Sequence, residues 1–389
     1  MSVVDPEGFA AAGGHVGVKA PGVADCAVVA CTTAAPACAA AVFTTNLAVA
    51  APVVVSRAHL SATGGHARAI VVTSGNANAA TGAGGLAGAE ALCGAVAAAY
   101  GAPRDEVLVA QTGLIGVPFD FAGVRPAVAA LCAAAGSTPA HGAAAATAIL
   151  TTDSVPKTFR GTYGGFRVGA MAKGAAMLAP NLATMLAVLT TDAACEPGLL
   201  KELLKDAVAP SFNRIHVDGS TSTNDTVAVL ASGVAGPVSA ESLGGALAEA
   251  CASLARQMVD DAEGATRTAT VSVQGAASDH QAHVAARAVA GSLLVKCSLN
   301  GADPYWGRVV AELGAAGVAF ELDRVTVRYG GVAVCVKGEG VGHDAPAVAA
   351  HLAGRHVELS CDLGLGPGTG SVLCCDLGPG YLDENRTTS

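Results

Sequence analysis

The chain has 389 residues and a formal net charge of −9 at pH 7. That length can bury a large core and predicts two domains or two structural halves. The acidic balance, with arginine and lysine scattered and no basic stripe, argues against a nucleic-acid partner. Only 14% of the residues are charged, against about 25% in a typical soluble protein, and 52% are hydrophobic. We therefore expect much of the surface to be covered in an oligomer.

Membrane insertion, secretion and metal binding have no clear signal in the sequence. The most apolar window is interrupted by Lys173, Pro180 and Asn181, so no membrane span is predicted. Asp5 and Glu7 precede any apolar run, which is unlike a secretory signal. The twelve cysteines form no CxxC pair and no Cys/His ligand spacing. These features favour a cytoplasmic protein with reduced core thiols and no metal centre.

The first half of the chain alternates predicted strands with predicted helices. Strands are predicted at AVVAC, AAAVFTT and PVVVS within 26–57, at RAIVVTS in 68–74, at VLVAQTG in 107–113, and at FRVGAMAK in 166–173. Helices are predicted over 85–100 and in two stretches within 120–150. A polar, glycine-rich loop, SGNANAATGAGG, lies between the second strand region and the first helix.

The second half begins with a strand after Thr184 and ends in a polar tail. Helices are predicted over about 197–209, 240–260 and 279–290, and strands at DTVAVLASG and TATVSV. Short strands and one more helix are predicted up to Leu373, followed by an exposed tail, DLGPGYLDENRTTS. Hairpin-like runs at 26–57 and 324–337 favour a mixed sheet with helices on its outer faces over a purely parallel sheet.

The stretch KGAAMLAPNLATMLAVLTTD contains the most informative residue, Thr184, which follows Ala183 and precedes an apolar run. If the bond between Ala183 and Thr184 were cut, one residue would carry both a hydroxyl and a new α-amine. An α-amine with a pKa of about 8 can act as the base for that hydroxyl. In an intact chain the same threonine is an ordinary strand residue. The functional question is therefore whether the chain cuts itself.

An oxyanion hole is predicted where the strand VLVAQTG ends. Successive donors at Thr112 and Gly113, a hydroxyl and a backbone N–H, can point at one oxygen and stabilise charge that develops on a carbonyl. The structural alternative is an ordinary turn at the end of a strand.

Two further groups of polar residues are candidates for binding an amino-acid substrate. The loop Thr151-Thr152-Asp153 with Lys157, and then Lys173-Gly174, can bind a carboxylate, although a solvated turn with an Asx cap has the same composition. Acids in DDAEGATR, from Asp260 to Arg267, can hold a substrate ammonium, and they are unfavourable to the dipole at a helix C-terminus. The cations available to an anionic substrate are Lys157, Lys173, Arg267 and Arg308.

Other patterns favour structural interpretations. GAGGLA at 82–87 matches a dinucleotide-binding loop between a strand and a helix, but the loop is long and the next strand ends in Gln111-Thr112 rather than in an acid. A structural glycine loop is the favoured alternative. DGSTSTNDT at 218–226 supplies hydroxyls, as many loops do. No G-x-S-x-G elbow is present, and the ten histidines are dispersed, so neither a serine hydrolase nor a zinc site is predicted.

In this order, the motifs resemble those of the ornithine acetyltransferase family, also called bifunctional glutamate N-acetyltransferase. The resemblance runs through most of the chain. It is carried by GVKAPG at 17–22, AAVFTTN at 40–46, SGNANAATG at 74–82, QTGLIG at 111–116, ILTTDSVPK at 149–157, MAKGAAMLAPNLATML at 171–186, TDA at 191–193, STSTNDT at 220–226, DAEGATR at 261–267, LVKCSLNGADPYWGR at 294–308 and EN at 384–385.

The resemblance implies an α/β fold, an α-β-β-α sandwich of mixed sheets flanked by helices. It implies self-cleavage between Ala183 and Thr184 into an alpha chain, 1–183, and a beta chain, 184–389, which stay together as an α2β2 assembly. Thr184 would attack N-acetylornithine, become acetylated and release ornithine, and glutamate would then accept the acetyl group. No cofactor is implied, and acetyl-CoA is left open as a further donor.

The resemblance also assigns the site residues. Thr112 and Gly113 would form the oxyanion hole, and the substrate contacts would come from Thr151, Lys173, Thr184, Glu263, Asn385 and a C-terminal hydroxyl residue, Ser389 or alternatively Thr388. Lys173 would attract the substrate α-carboxylate or keep the Thr184 amine neutral. Glu263 would pair with the ammonium of the ornithine side chain.

The chain departs from the family pattern at three places. Ala176 replaces the second glycine of K-G-x-G-M, Tyr305 replaces the asparagine of D-P-N-W-G-R, and the tail lacks a tyrosine and is one residue shorter. Three alternatives therefore stay open. They are a hydrolase or aminopeptidase with an N-terminal nucleophile, a paralogue in specialised metabolism that uses another donor, and a non-catalytic binder that never cleaves.

Overall fold

The computed structural model describes residues 3–177 and 185–386. Its strands, in chain order, are β1 Phe9–Gly14, β2 Cys26–Cys31, β3 Ala37–Phe43, β4 His66–Ala67, β5 Ala69–Asn76, β6 Val107–Leu114, β7 Lys157–Tyr163, β8 Phe166–Lys173, β9 Leu186–Ala194, β10 Ile215–His216, β11 Thr226–Pro237, β12 Thr268–Ala276, β13 Thr326–Tyr329, β14 Val332–Val336, β15 Glu339–Gly340, β16 His356–Asp362 and β17 Gly368–Cys375. The helices are α1 Ala51–Ala62, α2 Gly82–Tyr100, α3 Phe121–Ala133, α4 Pro139–Ala148, α5 Pro197–Val208, α6 Ala240–Asp260, α7 Asp279–Gly291, α8 Leu293–Asn300, α9 Trp306–Ala315, α10 Ala345–Leu352 and α11 Pro379–Glu384.

Two sheets pack face to face and carry helices on their outer faces. One has the order β1-β2-β5-β6, and the other has the order β4-β3-β11-β9-β8-β7. Residues that alternate along the strands separate the two faces. The inner layer joins Val29, Ile70 and Leu108 of the first sheet to Met171, Val188 and Leu230 of the second. Helices α1, α2 and α3 cover the first sheet, and α5 and α6 cover the second. The predicted α-β-β-α sandwich is confirmed.

A third sheet forms a second structural unit in the C-terminal part of the chain. Its order is β10-β17-β12-β16-β13-β14-β15, and it has its own core with helices α7 to α10. The predicted cut before Thr184 does not coincide with the boundary between these units. Strands β9 and β11 follow the cut but lie between β3 and β8, which precede it. The alpha and beta chains, which stay a prediction, would therefore share one sheet.

Several predicted elements were wrong. PVVVS is helical and begins α1, with Pro52 in the first turn, where its missing N–H costs nothing. Ser56 then donates to the Val109 carbonyl at 2.7 Å, and the His59 ring bonds the Val107 carbonyl at 2.7 Å, so packing on β6 overrides the β propensity of the valines. Strand β7 was not predicted. Between 293 and 352 the chain forms three helices rather than one. The tail contains α11, and its described residues 382–386 are exposed, as predicted.

Helix α2 combines a length and an apolar composition that would allow it to cross a membrane. Among the described residues, it passes this test alone, and the bent pair α7 and α8 passes it jointly. However, Leu92, Cys93 and Val96 of α2 are fully buried in the core beneath the first sheet. These residues form the face of α2 that packs against the first sheet.

Candidate active site

Strand ends from both sheets of the sandwich meet at one place. In the second sheet, Lys173 at the end of β8 pairs with Leu186 at the start of β9, and Leu186 pairs with Thr226 at the start of β11. In the first sheet, Thr112 lies near the end of β6. The predicted oxyanion residues and the strand that follows Thr184 therefore belong to opposite sheets that face each other.

Gly113 lies in β6, one residue before its end, where the pairing of β5 with β6 becomes irregular. Its φ of +131° is in the region that favours glycine. A Cβ at this position would lie 2.2 Å from the carbonyl carbon of Gly75 and 2.5 Å from the nitrogen of Asn76. The backbones of β5 and β6 thus approach too closely for any side chain. Thr112 is buried with 2% of its surface exposed, so the two predicted donors are adjacent at a tightly built strand end.

Lys173 contacts Thr112 directly across the two sheets. Its Nζ lies 3.3 Å from the Thr112 Oγ1, and both side chains are buried. Because an ammonium can only donate, the Thr112 oxygen must accept. The hydroxyl hydrogen of Thr112 is then left to donate to another oxygen. This is the arrangement that an oxyanion hole requires.

Asp153 links Lys173 to the predicted substrate residue Thr151. Its carboxylate lies 3.8 Å from the Lys173 Nζ and 2.6 Å from the Lys157 Nζ, and it accepts hydrogen bonds from the N–H of Gly174 at 2.6 Å and of Thr151 at 3.1 Å. Burial alone would raise the pKa of Asp153, but the charges of Lys173 and Lys157 and hydrogen bonds outweigh it and lower the pKa to about 2. Burial lowers the pKa of Lys173, and Asp153 opposes that shift.

The two remaining described substrate residues also contact each other. Asn385 donates to the Glu263 carboxylate at 2.8 Å, and the Glu263 N–H donates to the carbonyl of Ala175, two residues after Lys173, at 3.0 Å. Helix α11 packs against this turn so closely that a Cβ on Gly264 would lie 2.1 Å from the nitrogen of Tyr381. The tail predicted to be exposed is therefore attached to the site up to Asn385.

The predicted nucleophile and cleavage point lie outside the described residues. This applies to Ala183 and Thr184, and also to Ser389 at the C-terminus. The first described residue after the cleavage point is Met185, which is buried and whose N–H donates to the Asp225 carboxylate at 3.0 Å. The strand that would begin with the nucleophile thus starts beside Lys173.

Three of the four cations predicted to be available for an anionic substrate are engaged elsewhere. Lys157 is buried in ion pairs with Asp153 and Asp261. Arg267 donates to the carbonyls of Leu352 and Asn300, each at 2.7 Å.

Arg308 donates to the Leu294 carbonyl at 2.9 Å and stacks over the Tyr305 ring. Only Lys173 of the predicted four contacts the candidate oxyanion residue.

Of the acids at the end of α6, one anchors a loop and another joins the candidate site. Asp261 accepts from the backbone of Ser154 at 2.9 Å and pairs with Lys157, so it anchors the 151–157 loop. Glu263 is the acid of this stretch that joins the site. Sequence reasoning did not identify Asn224 and Asp225, which are buried at 3% and 1% exposure and reach the site from the start of β11. Both lie in DGSTSTNDT at 218–226, a segment whose sequence favours an ordinary loop and whose STSTNDT motif carries part of the family resemblance.

The glycine-rich segment at 82–87, predicted to be a loop, instead forms the first turns of α2, which begins at Gly82. A Cβ on Gly85 would lie 1.9 Å from the Thr81 Oγ1, so the glycine lets this turn pack closely on the residues before it. Asn78, in the short connection before α2, donates to the Gln111 side chain at 2.8 Å and so supports the end of β6. Within residues 3–177 and 185–386, no group of three or more His, Cys, Asp or Glu side chains is placed to hold a metal ion.

Comparison with known proteins decides the family. A protein-family model described as the ArgJ family matches residues 10–387 of the chain. The chain belongs to the ArgJ family. The arginine biosynthesis bifunctional protein ArgJ of Mycolicibacterium paratuberculosis is 45% identical over 400 residues, which cover 100% of this chain and 96% of the relative. The protein of the same name from Thermobifida fusca is 43% identical over 394 residues, which cover 100% of both chains.

Two solved ArgJ-family structures are also similar to parts of this chain. The crystal structure of arginine biosynthesis bifunctional protein ArgJ from Bacillus halodurans is 36% identical, covers 50% of this chain and 95% of its own, and has a TM-score of 0.49. Ornithine acetyltransferase from Mycobacterium tuberculosis, complexed with ornithine, is 38% identical, covers 46% and 94%, and has a TM-score of 0.42. The full-length family match confirms the resemblance found in the motifs, and with it the prediction of an acetyltransferase enzyme.

Proposed function

We propose that this chain cuts itself before Thr184 and then moves acetyl from N-acetylornithine to glutamate through an acetylated Thr184. The observation that carries the proposal is the buried contact between Lys173 and Thr112, 3.3 Å across the two sheets and beside the start of β9. It combines a cation and a hydroxyl donor at the strand that the nucleophile would begin. The family name of the curated relatives, which concerns arginine biosynthesis, supports the same assignment.

Self-cleavage needs only groups of the chain and one water. The Thr184 hydroxyl oxygen would bond to the carbonyl carbon of Ala183, the Ala183–Thr184 C–N bond would break, and the hydroxyl proton would end on the freed nitrogen. Water would then hydrolyse the ester, giving a carboxyl group on Ala183 and restoring the Thr184 hydroxyl. Thr112 and Gly113 would stabilise the oxyanion of each tetrahedral intermediate.

Acetyl transfer would follow in two matched steps. In the first, the Thr184 hydroxyl attacks the acetyl carbon of N-acetylornithine, and its proton passes through the α-amine to the departing ornithine nitrogen. In the second, the glutamate amine attacks the acetyl ester, the ester C–O bond breaks, and the proton returns to the threonine oxygen. The positive charge of Lys173 would help to keep the Thr184 amine neutral and able to accept a proton.

The rest of the site suits amino-acid substrates. Lys173 and Thr151 would bind the α-carboxylate, and Glu263, held by Asn385, would bind the ammonium of ornithine, with Ser389 completing the pocket. We propose a cytoplasmic α2β2 enzyme that uses no cofactor. Curated relatives are named bifunctional, and acetyl-CoA is the second donor to be tested.

The test begins with the mature protein on a denaturing gel. Two bands are expected in place of one at 37.7 kDa, and N-terminal sequencing of one band should read Thr-Met-Leu. Thr184→Ala should abolish cleavage and transfer, and Thr184→Ser should retain part of each. The matched control is Thr190→Ala on the same strand, whose buried hydroxyl donates to the Val3 carbonyl at 2.9 Å and should matter only for stability.

The assay must separate the alternatives. Acetylglutamate should form from N-acetylornithine and glutamate, and parallel reactions with acetyl-CoA would measure the second donor. Free acetate without acetylglutamate would indicate a hydrolase, and another preferred donor would indicate a specialised paralogue. An uncleaved chain that transfers acetyl at full rate would refute the proposal.

A further inference from the structure

The loop that enters β11 contains two consecutive buried polar residues, Asn224 and Asp225. Their exposed fractions are 3% and 1%. Burying such groups is unfavourable unless they form hydrogen bonds. Their side chains bond to opposite sheets of the sandwich, and each reaches a residue next to a proposed catalytic one.

Asn224 reaches the first sheet. Its amide nitrogen donates to the carbonyl of Ala77 at 2.6 Å and to the carbonyl of Gln111 at 2.8 Å. Gln111 directly precedes Thr112 in β6. Both hydrogens of the Asn224 amide are therefore used to hold the strand end that carries the proposed oxyanion hole.

Asp225 reaches the second sheet. Its Oδ1 accepts the N–H of Met185 at 3.0 Å, and Met185 directly follows Thr184. The carbonyl carbon of Thr184 is bonded to that same nitrogen, so the Asp225 side chain fixes the chain one atom away from the proposed nucleophilic residue.

The main chain of the loop is itself fixed. The Asp225 carbonyl accepts the Thr44 N–H at 2.9 Å, the Thr223 carbonyl accepts the Ala50 N–H at 3.0 Å, and the Asn224 N–H donates to the Ser222 hydroxyl at 3.0 Å. Successive Cα atoms are about 3.8 Å apart, so neither anchor can shift without the other. The pair is thus a rigid connection between the two strand ends.

We infer that Asn224 and Asp225 form a clamp that sets the distance between the nucleophile and the oxyanion hole. The inference rests on the proposed function. Both are positioning residues, because each donates to or accepts from a backbone atom next to a reacting group; the Thr223 hydroxyl also donates to the Asn224 Oδ1, and Asp225 also interacts with the side chains of Ser222 and Thr44 and with the charge of Lys173. The apolar layer between the sheets has no directional bonds of this kind, and a misplacement of about 1 Å in an active site can reduce the rate about 10²-fold.

The experiment measures kcat, KM and the extent of self-cleavage for a set of purified full-length variants. Asn224→Ala and Asp225→Ala should each lower kcat about 10²-fold and slow cleavage, with KM within about 3-fold, because the proposed substrate contacts are untouched. Asp225→Asn keeps an oxygen that can accept the Met185 N–H and should stay within about 5-fold of wild type.

The matched control is Asp192→Ala at the opposite end of β9. Asp192 is buried at 3% exposure and accepts the N–H of Arg167 at 2.6 Å and of Glu7 at 3.1 Å. Asp192→Ala removes the same kind of buried contact from the same strand but far from the site, so kcat should change less than about 3-fold.

A double variant distinguishes the clamp from general damage. If Asn224 acts by placing Thr112, then Asn224→Ala combined with Thr112→Ala should be no slower than Thr112→Ala alone, within about 3-fold, whereas independent damage would multiply. Equal kcat losses in Asp225→Ala and Asp192→Ala, or wild-type rates in both clamp variants, would overturn the inference. The inference would also be overturned if both alanine variants failed to fold and Asp225→Asn lowered the melting temperature as much as they did. Failure of the proposed function would appear in the wild-type protein itself.

Discussion

Thr112→Val is the sharpest test of the proposed oxyanion hole. Valine keeps the branched shape of threonine but removes the hydroxyl, so the packing at this buried position is preserved. Two consequences follow from the geometry. The Lys173 ammonium, 3.3 Å from the hydroxyl oxygen, loses a hydrogen-bond acceptor, and the developing oxyanion loses a donor.

The two losses have different sizes and affect different quantities. Removing one oxyanion donor lowers kcat by about 10² to 10³, equivalent to about 3–4 kcal/mol in the transition state. Leaving a buried donor without its partner costs about 1–3 kcal/mol of folding stability. The backbone N–H of Gly113 is unchanged, so activity should fall without vanishing. KM should change less than about 3-fold, because the hydroxyl acts mainly in the transition state.

The assay is steady-state release of ornithine from N-acetylornithine in the presence of glutamate, with urea unfolding measured on the same preparations. The control is Thr190→Val, a buried threonine in β9 whose hydroxyl bonds only backbone carbonyls and which should lose stability but keep kcat. A Thr112→Val enzyme with kcat within about 3-fold of wild type would refute the role of this hydroxyl. A loss that appears only in KM would move Thr112 to substrate binding.

Three further outcomes follow from the same geometry. Asp153→Asn should lower the free energy of unfolding by about 2 kcal/mol at neutral pH, because the pKa of Asp153 is about 2 in the folded protein and 3.8 in the unfolded chain. This stabilisation is present above pH 4 and is lost as the pH falls toward 2. A difference in unfolding free energy from wild type that persists at pH 2 would contradict it. Gly113→Ala should abolish acetyl transfer, since its Cβ would lie 2.2 Å from the Gly75 carbonyl carbon. Gly82→Ala is the control, because Gly82 also has a positive φ but a Cβ there would have no atom within 4 Å, and this variant should retain activity. An active Gly113→Ala enzyme would refute the steric argument. Burial raises the pKa of Asp225 well above its usual range, so the contribution of Asp225 to stability is greatest below pH 4 and declines as the pH rises. Asp225→Asn should lack this decline. Equal changes in melting temperature between pH 4 and pH 8 for wild type and Asp225→Asn would exclude the raised pKa.

Much of the architecture could be predicted because its signals are local. The strands at 69–76, 107–114 and 166–173 are continuous apolar runs bounded by turn residues, and the sheets bury both faces of these runs. PVVVS failed because three valines have a strong β propensity, whereas the bonds of Ser56 and His59 to β6, which favour the helix, join residues about fifty positions apart. Contacts of that kind leave no trace in a short window.

The candidate site shows the same limit at the level of single side chains. Thr112 and Gly113 are recognisable because a hydroxyl and a glycine end a strand. Asn224 and Asp225 are not recognisable in this way, since their proposed role depends on hydrogen bonds to Gln111 and Met185, which lie 113 and 40 positions away along the chain. Four cations are equivalent candidates in the sequence, and only the contacts of the folded chain distinguish Lys173 from the other three.

That separation accounts for the charge of the site. Lys157 and Lys173 flank the same carboxylate, but Lys157 is 2.6 Å from Asp153 and is also paired with Asp261, whereas Lys173 is 3.8 Å from Asp153. Lys157 is therefore directly paired with two acids, whereas the one ion pair of Lys173 in the described part of the chain is the longer contact with Asp153. Among the described residues, Glu263 has no lysine, arginine or histidine within 4.0 Å, and its bond to Asn385 leaves its negative charge in place.

Lys173 and Glu263 form no direct ion pair in the described part of the chain, and they are joined by the short turn from Lys173 to Ala175 and the Ala175–Glu263 hydrogen bond. A substrate with a carboxylate at one end and an ammonium at the other matches both charges, as acetylornithine does. Glutamate carries a second carboxylate in place of that ammonium and would meet Glu263 with a like charge. Glu263→Gln should therefore weaken the half-reaction with acetylornithine, raising its KM about 10-fold, while leaving the KM for glutamate unchanged or lower. Half-reaction kinetics would measure both values, and an equal rise in the two would show that Glu263 supports the fold of the turn instead of selecting the donor.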